Sequence, residues 1–63
     1  MKPTKRQLEI LELRANGLAN KQIASNLGIA LSSVKNTLSN LYERIGVANS
    51  IQAYALCKKD GLI

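Results

Sequence analysis

Four glycines divide this 63-residue chain into segments and limit its fold more than any other feature. They are Gly17, Gly28, Gly46 and Gly61, and each follows a segment with the apolar spacing of a helix. Glycine is the usual residue just past a helix C-terminus, because it adopts a left-handed backbone without steric cost. The glycines therefore predict four helices. No segment alternates apolar and polar residues over the length of a strand, so the predicted fold class is all-α.

The apolar residues of each segment place the predicted helices. The first begins after Thr4, a hydroxyl N-cap candidate, and ends near Asn16. The second covers about 20–27, the third ends near 45, and the fourth covers about 49–59. Residues three and four apart share one face of a helix. The resulting predicted core comprises Ile10, Leu11 and Ala15 in the first helix, Ile23, Ala24 and Leu27 in the second, Val34, Leu38, Leu41 and Ile45 in the third, and Ala53, Tyr54 and Cys57 in the fourth.

Size and composition exclude several classes of function. A chain of 63 residues forms at most one domain, 1–63, and leaves no room for a substrate cavity. It has no His, four Asp and Glu, and one cysteine, so we expect no enzyme and no cofactor, metal or small-molecule site. A single cysteine, Cys57, is consistent with a reduced cytoplasm. We expect Cys57 to be a small core residue rather than a redox sensor. No apolar run has the length of a membrane span or signal peptide, so we expect no membrane association.

The charge balance indicates an anionic partner. Nine Lys and Arg against four Asp and Glu give a formal net charge of +5. Nucleic acid is the first candidate and an anionic membrane surface the second. Solubility alone also accounts for such a charge in a small domain, so composition leaves the choice open.

A short glycine-containing link, LGIALS at residues 27–32, joins the second and third predicted helices. Gly28 is suited to a positive φ, and Ile29 is an apolar residue for the inside of the corner. A short turn of this kind between two short helices is typical of the helix-turn-helix motif, here at about 20–45, although other helical corners share it.

The third helix carries short hydrogen-bonding side chains opposite its apolar stripe. Its outward residues are Ser32, Lys35, Asn36, Ser39, Asn40 and Glu43. Asn forms a pair of hydrogen bonds with adenine, Lys donates hydrogen bonds to guanine, and Ser can hydrogen-bond to a base edge or a phosphate. This face indicates DNA contact, with an ordinary solvated face as the alternative. Phosphate would repel Glu43, which limits the contact to the N-terminal half of the helix.

Several blocks of the sequence resemble the C-terminal DNA-binding domain of the LuxR family, also called the GerE or NarL/FixJ type. The blocks are TKRQLEIL at 4–11, NKQIA at 20–24, SVKN at 33–36, RIGV at 44–47 and GLI at 61–63. They occur in the family's order and spacing and extend from Thr4 to Ile63. The resemblance implies a four-helix LuxR-type helix-turn-helix bundle from a bacterial transcription regulator that binds double-stranded DNA, with the third helix in the major groove.

The resemblance also implies roles for individual residues. The positions that meet base edges are Lys35, Asn36 and Ser39, and those that meet the DNA backbone are Asn20, Lys21, Ser33 and Asn40. The fourth helix often forms the dimer contact in the family. On this helix Ile51, Ala55 and Leu56 lie beside the predicted core face, so we expect a homodimer on DNA through these three residues.

The chain departs from the family pattern at six positions. Gln7 replaces the usual Glu, Arg14 an aliphatic residue, Thr37 a frequent His and Ser50 the typical Arg, while Ala19 and Ala30 replace hydroxyl caps. We expect Asn20 and Ser32 to substitute as caps. Losing Glu at position 7 and Arg at position 50 would remove an ion pair between the first and fourth helices.

A small LuxR-like interaction protein that pairs with a full-length regulator is the alternative function. Such a protein would keep the core pattern, but its third-helix face would be free to acquire acidic residues. Here that face remains polar and basic, which favours DNA binding.

Overall fold

Four helices account for most of residues 2–63, the part of the chain that the computed structural model describes. They are α1 (Lys5–Ala15), α2 (Asn20–Leu27), α3 (Leu31–Ile45) and α4 (Ser50–Lys59), with no strand among the described residues. The all-α prediction is therefore confirmed. Asn16 and Asn49 are the caps that flank α1 and α4 rather than members of the helices.

The core is aliphatic and draws on every helix. Its fully buried side chains include Ile10, Leu11, Ile23, Val34 and Leu41. Helix α1 packs against each of the other three helices, including both α2 and α3. Of the predicted core residues, Leu27, Ile45 and Tyr54 are only partly buried, and Leu27 and Ile45 pack against the core.

The structure corrects the predicted inner face of α1. Ala15 is exposed, because it lies in the last turn of the helix, at the edge of the buried face. Gln7 is buried instead. Its backbone N–H donates to the Thr4 hydroxyl (3.1 Å), and its side-chain carbonyl accepts from the Thr4 backbone (2.9 Å). This capping box gives the buried neutral amide of Gln7 a hydrogen-bond partner, which offsets the free energy of burying it. A carboxylate buried at the same position would also need a nearby cation.

Gly28 forms the corner between α2 and α3. Its φ is +67°, in the left-handed region that glycine adopts without strain. The next residue, Ile29, donates its backbone N–H to the Ala24 carbonyl (3.0 Å) and packs against the core. The tight corner predicted from the sequence is therefore confirmed, and it fixes the direction in which α3 leaves α2.

Helices α2 and α3 begin without side-chain caps. Their N-cap residues are Ala19 and Ala30, and neither has a side-chain acceptor for the first-turn amides. The prediction that Asn20 and Ser32 substitute as caps is wrong, because both lie inside the helices rather than at the preceding extended residue. The backbone N–H of Ala19 is instead satisfied by the Gln22 side-chain carbonyl at 2.8 Å.

Replacing Ala30 by serine is expected to stabilise the domain by about 1 kcal/mol, because a hydroxyl at the N-cap accepts from the first turn of α3. The backbone of Ala30 is already extended, as an N-cap requires (φ −70°, ψ 148°). For a domain of this size the melting temperature should rise by about 4–8 °C in thermal denaturation. Ala55→Ser, at an exposed position inside α4, is the control and should not raise it. An equal rise in both variants would exclude capping as the cause.

Cys57 lies in the core, as predicted, with 1% of its surface exposed. Burial raises the pKa of its thiol, and the nearby negative charge of Asp60 acts in the same direction. The thiol therefore remains protonated at neutral pH, which favours a packing role.

None of the helices in residues 2–63 combines the length and apolar character needed to cross a membrane.

Candidate nucleic-acid interface

The polar side of α3 is open to solvent over most of the helix. Its opposite side is held by Val34, Leu38 and Leu41, which are buried. The exposed residues are Ser32, Ser33, Lys35, Asn36, Ser39, Asn40 and Glu43. Burial of the apolar stripe thus fixes the rotation of α3 about its axis and leaves the polar residues outside.

The structure brings the three predicted base-contacting residues together. Lys35 and Ser39 are four positions apart and Asn36 and Ser39 are three apart, spacings that make helix residues neighbours on the surface. All three are exposed. They occupy the N-terminal and middle turns of α3, while Glu43 lies nearer its C-terminal end.

The predicted backbone-contacting residues fall on two helices. Asn20 and Lys21 form the first turn of α2, Ser33 belongs to the first turn of α3, and Asn40 lies one turn beyond Asn36. Lys21, Ser33 and Asn40 are exposed, whereas Asn20 is partly buried. The side-chain oxygen Oδ1 of Asn20 is buried and accepts no hydrogen bond among the described residues.

A groove of about 400 Å³ runs beside the polar face of α3. We call it the α3 groove. Leu38 and Tyr42 contribute to its wall, together with Ala48. Its other lining residues are polar or cationic and come from all four helices and their caps: Arg14, Asn20, Lys35, Ser39, Asn49 and Ser50. The groove therefore joins residues predicted for base contact and for backbone contact.

Arg14 and Asn49 are residues of this groove that sequence reasoning did not assign to the site. The guanidinium Nη1 of Arg14 donates to the Leu18 carbonyl at 3.3 Å, which holds the side chain over the link between α1 and α2. Asn49 caps α4 by accepting from the Gln52 backbone at 2.9 Å. The one sequence signal was that Arg14 stands where the family usually has an aliphatic residue.

The electrostatics of the α3 groove are positive. Arg14 and Lys35 line it, and no Asp or Glu is among its described lining residues. Burial raises the pKa of the Tyr42 hydroxyl, while the Ser50 side chain and the charge of Arg14 act in the opposite direction. Tyr42 is therefore a neutral hydrogen-bonding group at physiological pH, and the groove keeps its positive charge.

Helix α4 presents two of the three predicted dimer residues on one side. Ile51 is 80% exposed, and Ala55, one turn later, is exposed as well. Leu56 is half-buried on another flank, in a cleft with Pro3, Arg44 and Cys57. At about 100° per residue, Leu56 is roughly 140° from Ile51 around the helix. The structure therefore does not bring Leu56 together with the other two.

A helical bundle with a tight corner that presents an exposed polar helix defines a helix-turn-helix DNA-binding module. Family comparison agrees with this class. The chain belongs to the luxR family of bacterial regulatory proteins, because the family model, GerE, matches residues 3–57. The resemblance noted in the sequence is thereby confirmed.

Individual relatives are transcriptional regulators. The chain is 47% identical over 53 residues to the probable transcriptional regulatory protein SgaR of Hyphomicrobium methylovorum, covering 84% of this chain and 25% of SgaR. It is 40% identical over 58 residues to the transcriptional regulatory protein DesR of Bacillus subtilis (strain 168), covering 92% of this chain and 29% of DesR. The crystal structure of response regulator ChrA of a heme-sensing two-component system matches with a TM-score of 0.89 and 33% identity, over 100% of this chain and 31% of ChrA. The chain thus spans about a quarter to a third of these relatives.

Proposed function

We propose that this chain is the sequence-specific DNA-binding module of a bacterial transcription regulator and that α3 enters the major groove. The observation that carries the proposal is the exposed polar face of α3 opposite the buried side chains Val34, Leu38 and Leu41. A major groove of B-DNA admits one α-helix, and a polar face held outward by the core is what such an insertion requires. Its site of action would be the nucleoid in the cytoplasm.

Base contact is assigned to Lys35, Asn36 and Ser39. The Asn36 amide matches the donor and acceptor pair of adenine at N6 and N7, and the Lys35 ammonium matches the two acceptors of guanine at O6 and N7. Ser39 adds one hydroxyl to the same surface. We assign Asn20, Lys21, Ser33 and Asn40 to the DNA backbone, where they would fix the register of α3 without carrying sequence information.

The proposal is tested by selecting bound sequences from a pool of randomised duplex DNA at several salt concentrations. A DNA-binding module of this kind enriches one short motif, and its affinity falls steeply with salt. Binding without an enriched motif would leave only a non-specific activity. No binding at low salt, combined with capture of a full-length regulator of this family, would support the interaction-protein alternative.

Replacing Lys21 by alanine is expected to weaken binding to all duplexes about equally, because a phosphate contact is independent of sequence. Removing one neutralised phosphate should make the slope of log K against log salt shallower by about one. Fluorescence anisotropy over a salt series measures both quantities. Lys59→Ala removes the same charge from the exposed end of α4 and should leave the slope unchanged. Equal slopes for the Lys21 variant and the parent would remove Lys21 from the contact surface.

We further propose that two copies bind DNA as a symmetric dimer through α4. Ile51 and Ala55 supply exposed apolar surface for this contact, and Leu56 would contribute only from the flank. A two-fold arrangement would place two α3 helices in successive major grooves, about 34 Å apart. The patch is small, so the chain alone is expected to be mainly monomeric, with the dimer completed on DNA.

Ile51→Glu is expected to abolish cooperative binding to a duplex with two half-sites, because a charge would be buried at the dimer contact. Binding to a single half-site should be unchanged. Sedimentation with each duplex measures the difference. Leu56→Glu is the companion variant, and we expect a smaller loss of cooperativity from its flank position. Full cooperativity in both variants would exclude α4 as the dimer contact.

A further inference from the structure

The α3 groove contains more cationic and hydrogen-bonding groups than base contact by α3 requires. Lys35 and Ser39 belong to α3, but Arg14 comes from α1, and Asn20 and Asn49 come from the beginnings of α2 and α4. Groups from four elements converge on about 400 Å³ without a carboxylate among the described lining residues. Such a set matches an anion better than the edge of a neutral base.

Arg14 is the group best suited to bind that anion. A guanidinium has five N–H donors in a planar fork. One nitrogen, Nη1, is engaged by the Leu18 carbonyl at 3.3 Å, and no carboxylate pairs with Arg14 among residues 2–63. The contact with the Leu18 carbonyl orients the guanidinium and leaves its other N–H donors free. A guanidinium with free donors on one edge can bind two phosphate oxygens at once.

The start of α2 adds to the positive potential on the same side. Its first-turn amides have no side-chain acceptor, because the N-cap residue is Ala19. Unpaired first-turn N–H groups and the helix dipole favour an anion at that end. Asn20, the first residue of α2, lines the groove, so this end of the helix borders it.

We propose that the α3 groove binds one phosphate group of the DNA backbone, with Arg14 as its principal ligand, assisted by the first turn of α2. The inference rests on the proposed function and extends it, since it adds a contact from the last turn of α1, where the sequence predicted no DNA-contacting residue. A phosphate held here would lie beside the bases that Lys35 and Ser39 contact, and would fix the depth of α3 in the major groove.

The first test compares the salt dependence of binding for Arg14→Gln, Arg14→Lys and the parent on the selected duplex. Arg14→Gln should make the slope of log K against log salt shallower by about one and weaken selected and unrelated duplexes by a similar factor. Arg14→Lys keeps the charge and should keep the slope. The matched control is Arg6→Gln, which removes the same charge from the exposed first turn of α1, outside the groove. A slope for Arg14→Gln equal to that of Arg6→Gln overturns the proposal.

The second test replaces single phosphates of the selected duplex by neutral methylphosphonates. One position should weaken binding of the parent but not of Arg14→Gln, because the charge pair is already lost in that variant. Circular dichroism checks that the variant is folded. If Arg14→Gln is unfolded, the same scan is carried out on the parent and Arg14→Lys instead. The sensitive phosphate position should then lie beside the bases that Lys35 contacts. The absence of any such position overturns the proposal.

A small free anion is the other source of the same chemistry. Inorganic phosphate titrated into the DNA-free protein should shift the amide signals of Asn20 and Asn49 only at millimolar concentration. Tight binding of inorganic phosphate together with an unchanged DNA salt slope in Arg14→Gln would assign the groove to a free anion and overturn the proposal. If the parent itself fails to bind any duplex, the proposed function fails. If the parent binds and only the Arg14 effects are absent, the phosphate site alone fails.

Discussion

Replacing Leu41 by alanine is expected to destabilise the domain by about 2–5 kcal/mol, the cost of removing buried methylene groups and leaving a cavity. Leu41 is fully buried on the core side of α3, a helix that packs against α1, α2 and α4. A domain of this length has a total stability of only about 3–9 kcal/mol. The variant should therefore melt at least about 8 °C below the parent, at about 4–8 °C per kcal/mol, or be unfolded at room temperature.

Leu31→Ala is the matched control for this prediction. It makes the same chemical change on the same helix, at a side chain that is 39% exposed. We expect a smaller loss, below about 1 kcal/mol, since this side chain stays in contact with solvent and its truncation leaves no enclosed cavity. Chemical denaturation of both variants gives the comparison. Similar losses at the two positions would mean that the core does not centre on Leu41.

Replacing Asn36 or Lys35 by alanine is expected to lower affinity for the selected duplex by about 1–3 kcal/mol each, which is about 5- to 150-fold. The reason is the loss of hydrogen bonds to one base pair, so the sequence preference at that position should relax as well. Both side chains are exposed and opposite the buried stripe, so the helical content should not change. Quantitative binding assays with point-substituted duplexes measure the affinity and the preference together.

The salt dependence separates the Asn36 base contact from phosphate contacts, and the sequence dependence of binding does so for Lys35. Asn36→Ala removes no charge and should leave the salt slope at its parental value, while the loss of affinity remains. Lys35→Ala should lower affinity for the selected duplex more than for an unrelated one. Unfolding of either variant, or undiminished affinity in both, would contradict the assignment of α3 as the recognition helix.

Local features of the sequence were sufficient for the helices and the corner. The spacing of Val34, Leu38 and Leu41 predicted which side of α3 is buried, because a helix repeats every 3.6 residues whatever surrounds it. Gly28 predicted the corner for an equally local reason, since its φ of +67° favours glycine over any other residue. Neither inference requires knowledge of the neighbouring helices.

Positions near helix ends were less predictable, because there the packing of neighbouring elements decides burial. Ala15 and Gln7 both belong to α1, but the apolar alanine is exposed and the polar glutamine is buried. The glutamine is accommodated by two hydrogen bonds to Thr4, which hydrophobicity alone does not predict. Likewise, Leu56 is as apolar as Ile51, but packing leaves Leu56 half-buried and Ile51 80% exposed.

The sequence by itself determined the four helices, the tight corner and the outward polar face of α3, because these depend on residue spacing and on the conformational freedom of glycine. Only the tertiary structure decided that Arg14, Asn20, Lys35 and Asn49 share one groove. Arg14 and Asn49 are 35 positions apart in the chain, and no periodicity relates residues of different helices. Their proximity follows from the packing of α1 against α3 and α4, which buries the apolar faces of these helices together and brings the polar edges into one positively charged surface.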